Sequence, residues 1–391
     1  MQYRIDPKSG NRLSVLGYGC MRFTKKGMGI DQAKAEKEMA YAIEQGVNYF
    51  DTAHIYPGSE AALGKFLAKG CRDKVYIATK LPHYIVKSLE DADRIFEEEL
   101  RRLQTDHIDY YLMHMLTDIG GWERMCALGI RNWIRRRKEA GQIRQIGFSY
   151  HGGTPGFLKI LEAYDWEFCQ IQFNYMDEHS QAGLKGLRRA AELGIPVVIM
   201  EPLRGGRLAG GLPAGAAKIF EQAEPRRSPA EWALRWIWNH PEVSVVLSGM
   251  NDMAQVRENA GIASAAEADT LTQAELDVFD QVRQEISRVT KVGCTGCGYC
   301  MPCPQGVDIP VCFRCYNVRF SDGWFNSLRE YLMCTTLRQV KTNASKCIQC
   351  GKCETHCPQS IPIRQELANV TRTLERIPYK AASLVSRVVK F

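Results

Sequence analysis

Two runs of cysteines toward the C-terminal end of the chain carry the most chemistry. Cys294, Cys297, Cys300 and Cys303 precede Pro304, and Cys347, Cys350, Cys353 and Cys357 precede Pro358. The second run reads C-x₂-C-x₂-C-x₃-C-P, a spacing that holds a cubane [4Fe–4S] cluster through thiolates. The first differs only in its last spacer, which has two residues instead of three. A tight loop supplies three thiolates from i, i+3 and i+6, and the fourth comes from farther along the chain. Zinc and disulfides are the alternatives. Zinc needs two pairs of ligands, not two runs of four that each end in Cys-Pro. Cys312, Cys315 and Cys334 lie between the runs, as spare ligands, redox-active thiols or incidental buried cysteines. A second set of groups, Asp51, Tyr56, Lys80 and His114, is able to hold and move a proton.

These groups need a scaffold. With 391 residues the chain accommodates one large domain and a small one. An apolar fraction of 45% and a charged fraction of 24% place it among globular proteins. The net charge of +7 is mild for this length, and no basic stripe interleaves with stacking aromatics, so nucleic acid is not an expected partner. Met1 to Gly10 is polar, and no stretch approaches the roughly 18 apolar residues of a membrane span. Cys20, Cys71, Cys126 and Cys169 are scattered, which argues against a disulfide framework. The expectation is a cytoplasmic protein in a reducing setting.

From about residue 15 to 265, β-rich runs alternate with amphipathic segments. The runs predict strands at Leu16–Gly19, Val47–Phe50, Val75–Thr79, Ile108–Met113, Ile143–Phe148, Phe168–Phe173, Pro196–Met200 and Val243–Leu247. Helical spacing is clear in Gln32–Glu44, Leu89–Leu103, Ile130–Ala140, Ala182–Leu193 and Pro229–Trp238, and Ala266–Val289 reads as a further helix. Eight βα repeats predict an α/β (β/α)₈ TIM barrel; a doubly wound sheet is the competitor, weakened because no G-x-G-x-x-G follows the first strand. In a barrel Asp51, Lys80 and His114 fall at the C-terminal ends of consecutive strands, where barrel enzymes do their chemistry, and Tyr56 lies in the loop after Asp51. The predicted organisation is a barrel over 1–285, a small α-rich iron–sulfur domain over 286–370 and a basic tail over 371–391, carrying Arg372, Arg376, Lys380, Arg387 and Lys390. Ile309 to Val340 is apolar and aromatic enough to pack on something.

Phe50-Asp51-Thr52-Ala53-His54-Ile55-Tyr56, followed by Ser59-Glu60 and Leu63-Gly64, resembles the second-strand signature of the aldo-keto reductase family. The likeness continues in Ile146-Gly147-Phe148-Ser149, Gln170-Ile171-Gln172-Phe173-Asn174, Glu201-Pro202-Leu203-Arg204-Gly205-Gly206, Ser248-Gly249-Met250 and Glu258-Asn259-Ala260. It covers about residues 1–285 and, with the cysteine runs, is similar to the branch of that family with a C-terminal ferredoxin-like domain. In two-cluster ferredoxins the fourth cysteine of each run serves the other cluster. That likeness pairs Cys294, Cys297 and Cys300 with Cys357, and Cys347, Cys350 and Cys353 with Cys303.

The resemblance implies the roles. Tyr56 would protonate a substrate carbonyl as hydride arrives at carbon, and Lys80, kept charged by Asp51, would make the phenol a better acid at neutral pH. His114 would orient the carbonyl. Gly19, Met21, Ser149, Gln172, Pro202, Leu203, Gly205, Gly206, Ser248, Gly249, Glu258 and Asn259 would bind NADH or NADPH. Ser149 and Gln172 would take the carboxamide, Pro202–Gly206 and Ser248-Gly249 the pyrophosphate, and Glu258 and Asn259 the adenine end. Tyr150, Met200 and Asn251 depart from the family pattern, which weakens the case for NADPH preference and leaves room for FMN or FAD. His54, His83, Tyr84 and the loop Met115–Cys126 with Trp122 are expected to line the substrate pocket. Two functions compete: a nicotinamide-dependent carbonyl reductase or alcohol dehydrogenase whose clusters reach a ferredoxin or flavoprotein partner, and an electron-transfer protein in which the barrel is a flavin or docking scaffold. A third reading makes the clusters purely structural staples of a small domain.

Overall fold

The apolar runs close on one another. In the computed structural model, which describes residues 1–336 and 340–380, eight parallel strands form a closed barrel. They are β1 (Leu16–Gly19), β2 (Tyr49–Asp51), β3 (Tyr76–Leu81), β4 (Ile108–Leu116), β5 (Ile143–Tyr150), β6 (Phe168–Gln172), β7 (Val197–Met200) and β8 (Val243–Ser248). Their order around the barrel follows the chain, and β8 returns to β1 through Val246–Leu16, Leu247–Gly17 and Ser248–Tyr18. Parallel neighbours need long crossovers. Helices supply them: α1 (Gln32–Glu44), α2 (Ser59–Leu67), α3 (Leu89–Leu103), α4 (Ile119–Ala127), α5 (Ile130–Glu139), α6 (Thr154–Ala163), α7 (Gly183–Glu192), α8 (Ala214–Gln222) and α9 (Pro229–Trp238); α10 (Met253–Ser264) follows β8.

Leu13, Tyr49, Tyr110, Phe168, Val198 and Val245 belong to one buried cluster at the barrel's core. Gly17 keeps β1 close to β8, since a Cβ there would meet Leu247 at 2.7 Å and Val245 at 2.8 Å. Outside the strands, α3 starts at Ser88, whose hydroxyl accepts the Asp91 N–H, and buries Ile95, Phe96, Leu100 and Leu103. Phe96 meets Tyr111 and Trp133 edge-on at 5.1 and 5.5 Å. Each such buried aromatic side chain contributes about 2 kcal/mol by removal from water.

One predicted helix is shorter than its apolar pattern. Ala266–Val289 is helical only from Gln273. Asn239 captures the N–H groups of Thr270 and Leu271 at 2.8 and 2.9 Å, holding that stretch in a turn.

A second compact unit comprises Arg204–Pro229 and the chain from Gln273 onward. Within it α8 packs on α11 (Gln273–Val289), with Phe220 and Phe279 ring centroids 6.0 Å apart. The cysteine runs flank α12 (Ile309–Tyr331), which breaks at Gly323 (φ 85°), and the second run precedes α13 (Ile363–Leu374). Phe313, Tyr331, Leu367, Val370 and Leu374 form the core of this unit, so the apolar Ile309–Val340 stretch does find a packing partner. Of the basic tail, Arg372, Arg376 and Lys380 are exposed; Arg387 and Lys390 lie outside the described residues. Among the described residues, no helix is long and apolar enough to cross a membrane.

Candidate active site and cysteine loops

Strand alternation buries Asp51 at the end of β2, Lys80 near the end of β3 and His114 in β4. Lys80 Nζ donates to Asp51 Oδ1 and to the Thr52 carbonyl, both at 2.6 Å. The same ammonium lies 5.3 Å from the centroid of the Tyr56 ring. That ring meets His114 edge-on with centroids 6.1 Å apart. The structure therefore brings the four predicted residues together. The turn carrying Tyr56 is fixed by Ser59, whose hydroxyl donates to the Cys20 carbonyl at 2.9 Å and bonds Thr52 Oγ1 at 2.7 Å.

Burial dominates the electrostatics. It raises the Asp51 carboxyl, opposed by the Lys80 ion pair and by Gln170, whose Nε2 reaches Asp51 Oδ2 at 3.4 Å. It pushes His114 far below the ordinary histidine range, helped by the charge of Lys80 and by His151 and His83. His83 and His151 are themselves lowered to about 4, mainly by burial. Three imidazoles on β3–β5 and the segments that follow are thus neutral near pH 7.

This has a measurable consequence. A histidine whose folded pKa lies below its unfolded value stabilises the fold above the unfolded pKa and loses that contribution as pH falls. For His151 the window runs from 6.5 down to about 4. Between pH 7 and pH 5 it accounts for about 2 kcal/mol of lost stability, from 1.36 kcal/mol per pH unit. Chemical denaturation at the two pH values should show His151→Gln losing less stability than wild type by about that amount. Equal losses would remove His151 from the account.

Gln170 and His151 were not singled out from the sequence. For Gln170 a signal existed: in Gln170-Ile171-Gln172 both glutamines share one strand face, and a glutamine aimed into a barrel needs a partner.

The candidate cofactor residues are tied into the protein's own hydrogen bonds. Ser149 Oγ accepts the Met115 N–H at 2.8 Å. Gln172 Nε2 donates to Asp177 at 2.7 Å, and its Oε1 accepts from Gln181 at 3.1 Å. Asn259 Nδ2 donates to Ser248 Oγ at 3.0 Å, while Glu258 beside it is exposed. Gly19 lies against β8, a Cβ there meeting the Ser248 carbonyl at 3.3 Å, and a Cβ on Gly249 would meet Arg22 at 3.1 Å. Met21 is partly exposed in the short helix Cys20–Arg22. Pro202 and Leu203 follow β7 in the barrel unit, whereas Gly205 and Gly206, with φ of 66° and 91°, belong to the second unit.

Two aromatics singled out from the sequence are packed into the protein. Tyr150 donates its hydroxyl to the Gly153 carbonyl at 2.7 Å, and its ring is buried 5.2 Å from that of Phe157. Trp122 is buried in α4 against Tyr164 and Trp166, at 5.1 and 4.7 Å. Large aromatic side chains are drawn into the core by the area they bury.

In the second unit, Cys294, Cys297, Cys300 and Cys357 line one cavity walled by Ile309, Phe313 and Ile361. None of these four cysteines is in a disulfide. Burial raises Cys294 and Cys300, and the neighbouring cysteines raise them further, so four thiolates here need a cationic centre to share. That donor set fits an iron–sulfur cluster. Gly296 and Gly298, with φ of 72° and 82°, let the loop wind between ligands. Arg207 donates to the Cys294 carbonyl. In the other run Cys353 is raised by burial, with Cys347 and Cys350 contributing, and the Gln349 N–H points at Cys347 Sγ from 3.4 Å. Cys303, Cys347 and Cys353 pack against the same apolar core.

A model of the aldo/keto reductase family matches residues 15–283, and one of the 4Fe-4S dicluster domain matches residues 293–361. An aldo-keto reductase of Mycobacterium sp. is 30% identical over 284 residues, covering 71% of this chain and 85% of the relative. An uncharacterized oxidoreductase, YrpG, of Bacillus subtilis is 29% identical over 300 residues, covering 66% and 90%. Among solved structures, the holo form of an aldo-keto reductase from Bacillus halodurans aligns with a TM-score of 0.60 and 26% identity, over 72% of this chain and 96% of that one. With its barrel, its matched signatures and its cysteine runs, the chain belongs to the aldo/keto reductase family and joins to that barrel a 4Fe-4S dicluster domain.

Proposed function

We propose that the barrel interconverts a small carbonyl compound and its alcohol with NADH or NADPH, and that the second domain carries two [4Fe–4S] clusters exchanging electrons with a ferredoxin or flavoprotein. The observation that carries the first part is the buried trio Asp51, Lys80 and His114 with the half-buried Tyr56 beside it, lysine and aspartate 2.6 Å apart and the ammonium 5.3 Å from the Tyr56 ring centroid. A bound reduced nicotinamide would supply hydride to the carbonyl carbon. Tyr56 gives its proton to the carbonyl oxygen. Lys80 stabilises the negative charge this leaves on the phenol oxygen, Asp51 fixes Lys80, and Gln170 supports Asp51. His114, being neutral, donates an N–H to the same carbonyl oxygen and orients it.

The cluster part rests on the cavity shared by Cys294, Cys297, Cys300 and Cys357, with Cys347, Cys350, Cys353 and Cys303 holding the other cluster. The barrel domain in this reading spans 1–285, the cluster domain 286–370 and the tail 371–391, and the protein works in the cytoplasm. Anaerobically purified protein should carry roughly eight iron and eight sulfide per chain. It should oxidise a nicotinamide with at least one member of a panel of small aldehydes and ketones. Four iron after full reconstitution would reduce the domain to one cluster. Inactivity of the fully loaded protein on the whole panel with both nicotinamides would replace the reductase by an electron carrier.

A further inference from the structure

Two of the three cysteines that lie between the cluster runs come together in space. Cys315 lies on the first half of α12, before the break at Gly323, and Glu330 lies after it. Cys334 follows in the short π-helical turn Leu332–Thr336. The second half folds back on the first, with Ser327 Oγ donating to the Cys315 carbonyl at 2.7 Å. This brings Cys315 Sγ, a Glu330 carboxylate oxygen and Cys334 Sγ within 4.8 Å of one another. Cys315 is fully buried, and Glu330 and Cys334 are half-buried. Arg314 spans the outer two, 3.1 Å from Glu330 and 3.3 Å from Cys334.

We propose that Cys315, Cys334 and Glu330 bind a thiophilic divalent cation of the zinc class, separate from the two cluster motifs. Zinc–sulfur bonds of about 2.3 Å at a tetrahedral angle place two sulfurs about 3.8 Å apart, with a carboxylate oxygen about 2 Å from the metal. A triangle of donor atoms with every side under 4.8 Å is of that size. The charge also balances: two thiolates and a carboxylate bring three negative charges, the cation two positive and Arg314 the third. Loading sends the two thiol protons to solvent, and Arg314 keeps its pairing with Glu330 while releasing Cys334. Water takes the fourth position. Glu330 borders an open cavity of about 420 Å³ with Asn326, Arg329 and Met333, which gives the ion an entry path. The ion would tie the two halves of α12 together across Gly323, stapling the helix that lies between the cluster runs.

The test uses the full chain, anaerobic and fully loaded with iron and sulfide, given one equivalent of zinc and dialysed. About one zinc should remain per chain, and absorption at the zinc edge should show two sulfur and two lighter neighbours. Cys334→Ser and Glu330→Gln should each weaken zinc binding, at least about tenfold for the cysteine, with the iron content unchanged. Cys315→Ser should do the same, and the two half-buried positions carry the test if that variant misfolds. Four sulfur neighbours would put the zinc in a cluster motif. Only lighter neighbours would make it adventitious. Undiminished binding in Cys334→Ser, or a Cys315–Cys334 disulfide in the anaerobic protein, would equally overturn the proposal.

Discussion

Tyr56→Phe should lower carbonyl turnover by at least ~10²-fold, the scale of a lost general acid. The phenylalanine ring keeps the edge contact with His114 and the place over the Lys80 ammonium, so only the hydroxyl is lost. The fall should therefore appear in kcat, with nicotinamide affinity, barrel stability and iron content unchanged. Lys80→Met should match it in rate, but by itself it leaves the buried Asp51 without its cation, a change that costs about 3–5 kcal/mol. Lys80→Met with Asp51→Asn removes both charges and separates the loss of chemistry from the loss of fold. Carbonyl reduction by Tyr56→Phe at near the wild-type rate would show that the proton comes from elsewhere.

The barrel was legible because its signal is local. Eight short β-rich runs, each separated by enough chain for a crossover, admit few closed arrangements, and the observed strands overlap all eight. Asp51, Lys80 and His114 were legible because strand ends point at the same mouth. What stayed hidden depends on partners distant in sequence. That Ser149 is engaged by the Met115 N–H, and that Gln172 sits between Asp177 and Gln181, follows from how loops settle. The reversal of α12 at Gly323 was hidden too, since one glycine in a helical pattern is weaker evidence for a break than the contacts that make it. The same reversal turns Cys315 and Cys334, nineteen positions apart, into neighbours.

The grouping of Arg204–Pro229 with the cysteine-bearing unit was equally invisible. By family likeness Gly205 and Gly206 belong to a pyrophosphate loop; in the structure the next residue, Arg207, donates to the Cys294 carbonyl. One short segment therefore links the proposed nicotinamide loop to a proposed cluster ligand within a single unit.

Reduction of the clusters by nicotinamide should need a flavin. Hydride carries two electrons at once, whereas an iron–sulfur cluster takes up one, so direct exchange lacks a step at which the pair divides; a flavin accepts the pair and releases single electrons. The protein should then show one of two behaviours. Either the barrel retains a flavin in place of, or beside, the nicotinamide, or the clusters respond only to a flavin-bearing partner. The measurement is to add NADH or NADPH, without oxygen, to flavin-free protein with both clusters loaded, and to follow their visible absorption. Bleaching should be absent until a flavoprotein with its flavin is supplied, and then proceed on the timescale of turnover, while carbonyl reduction in the same samples proceeds with or without it. Rapid bleaching by the nicotinamide alone would overturn the argument and would make the barrel site itself the place where the electron pair is split.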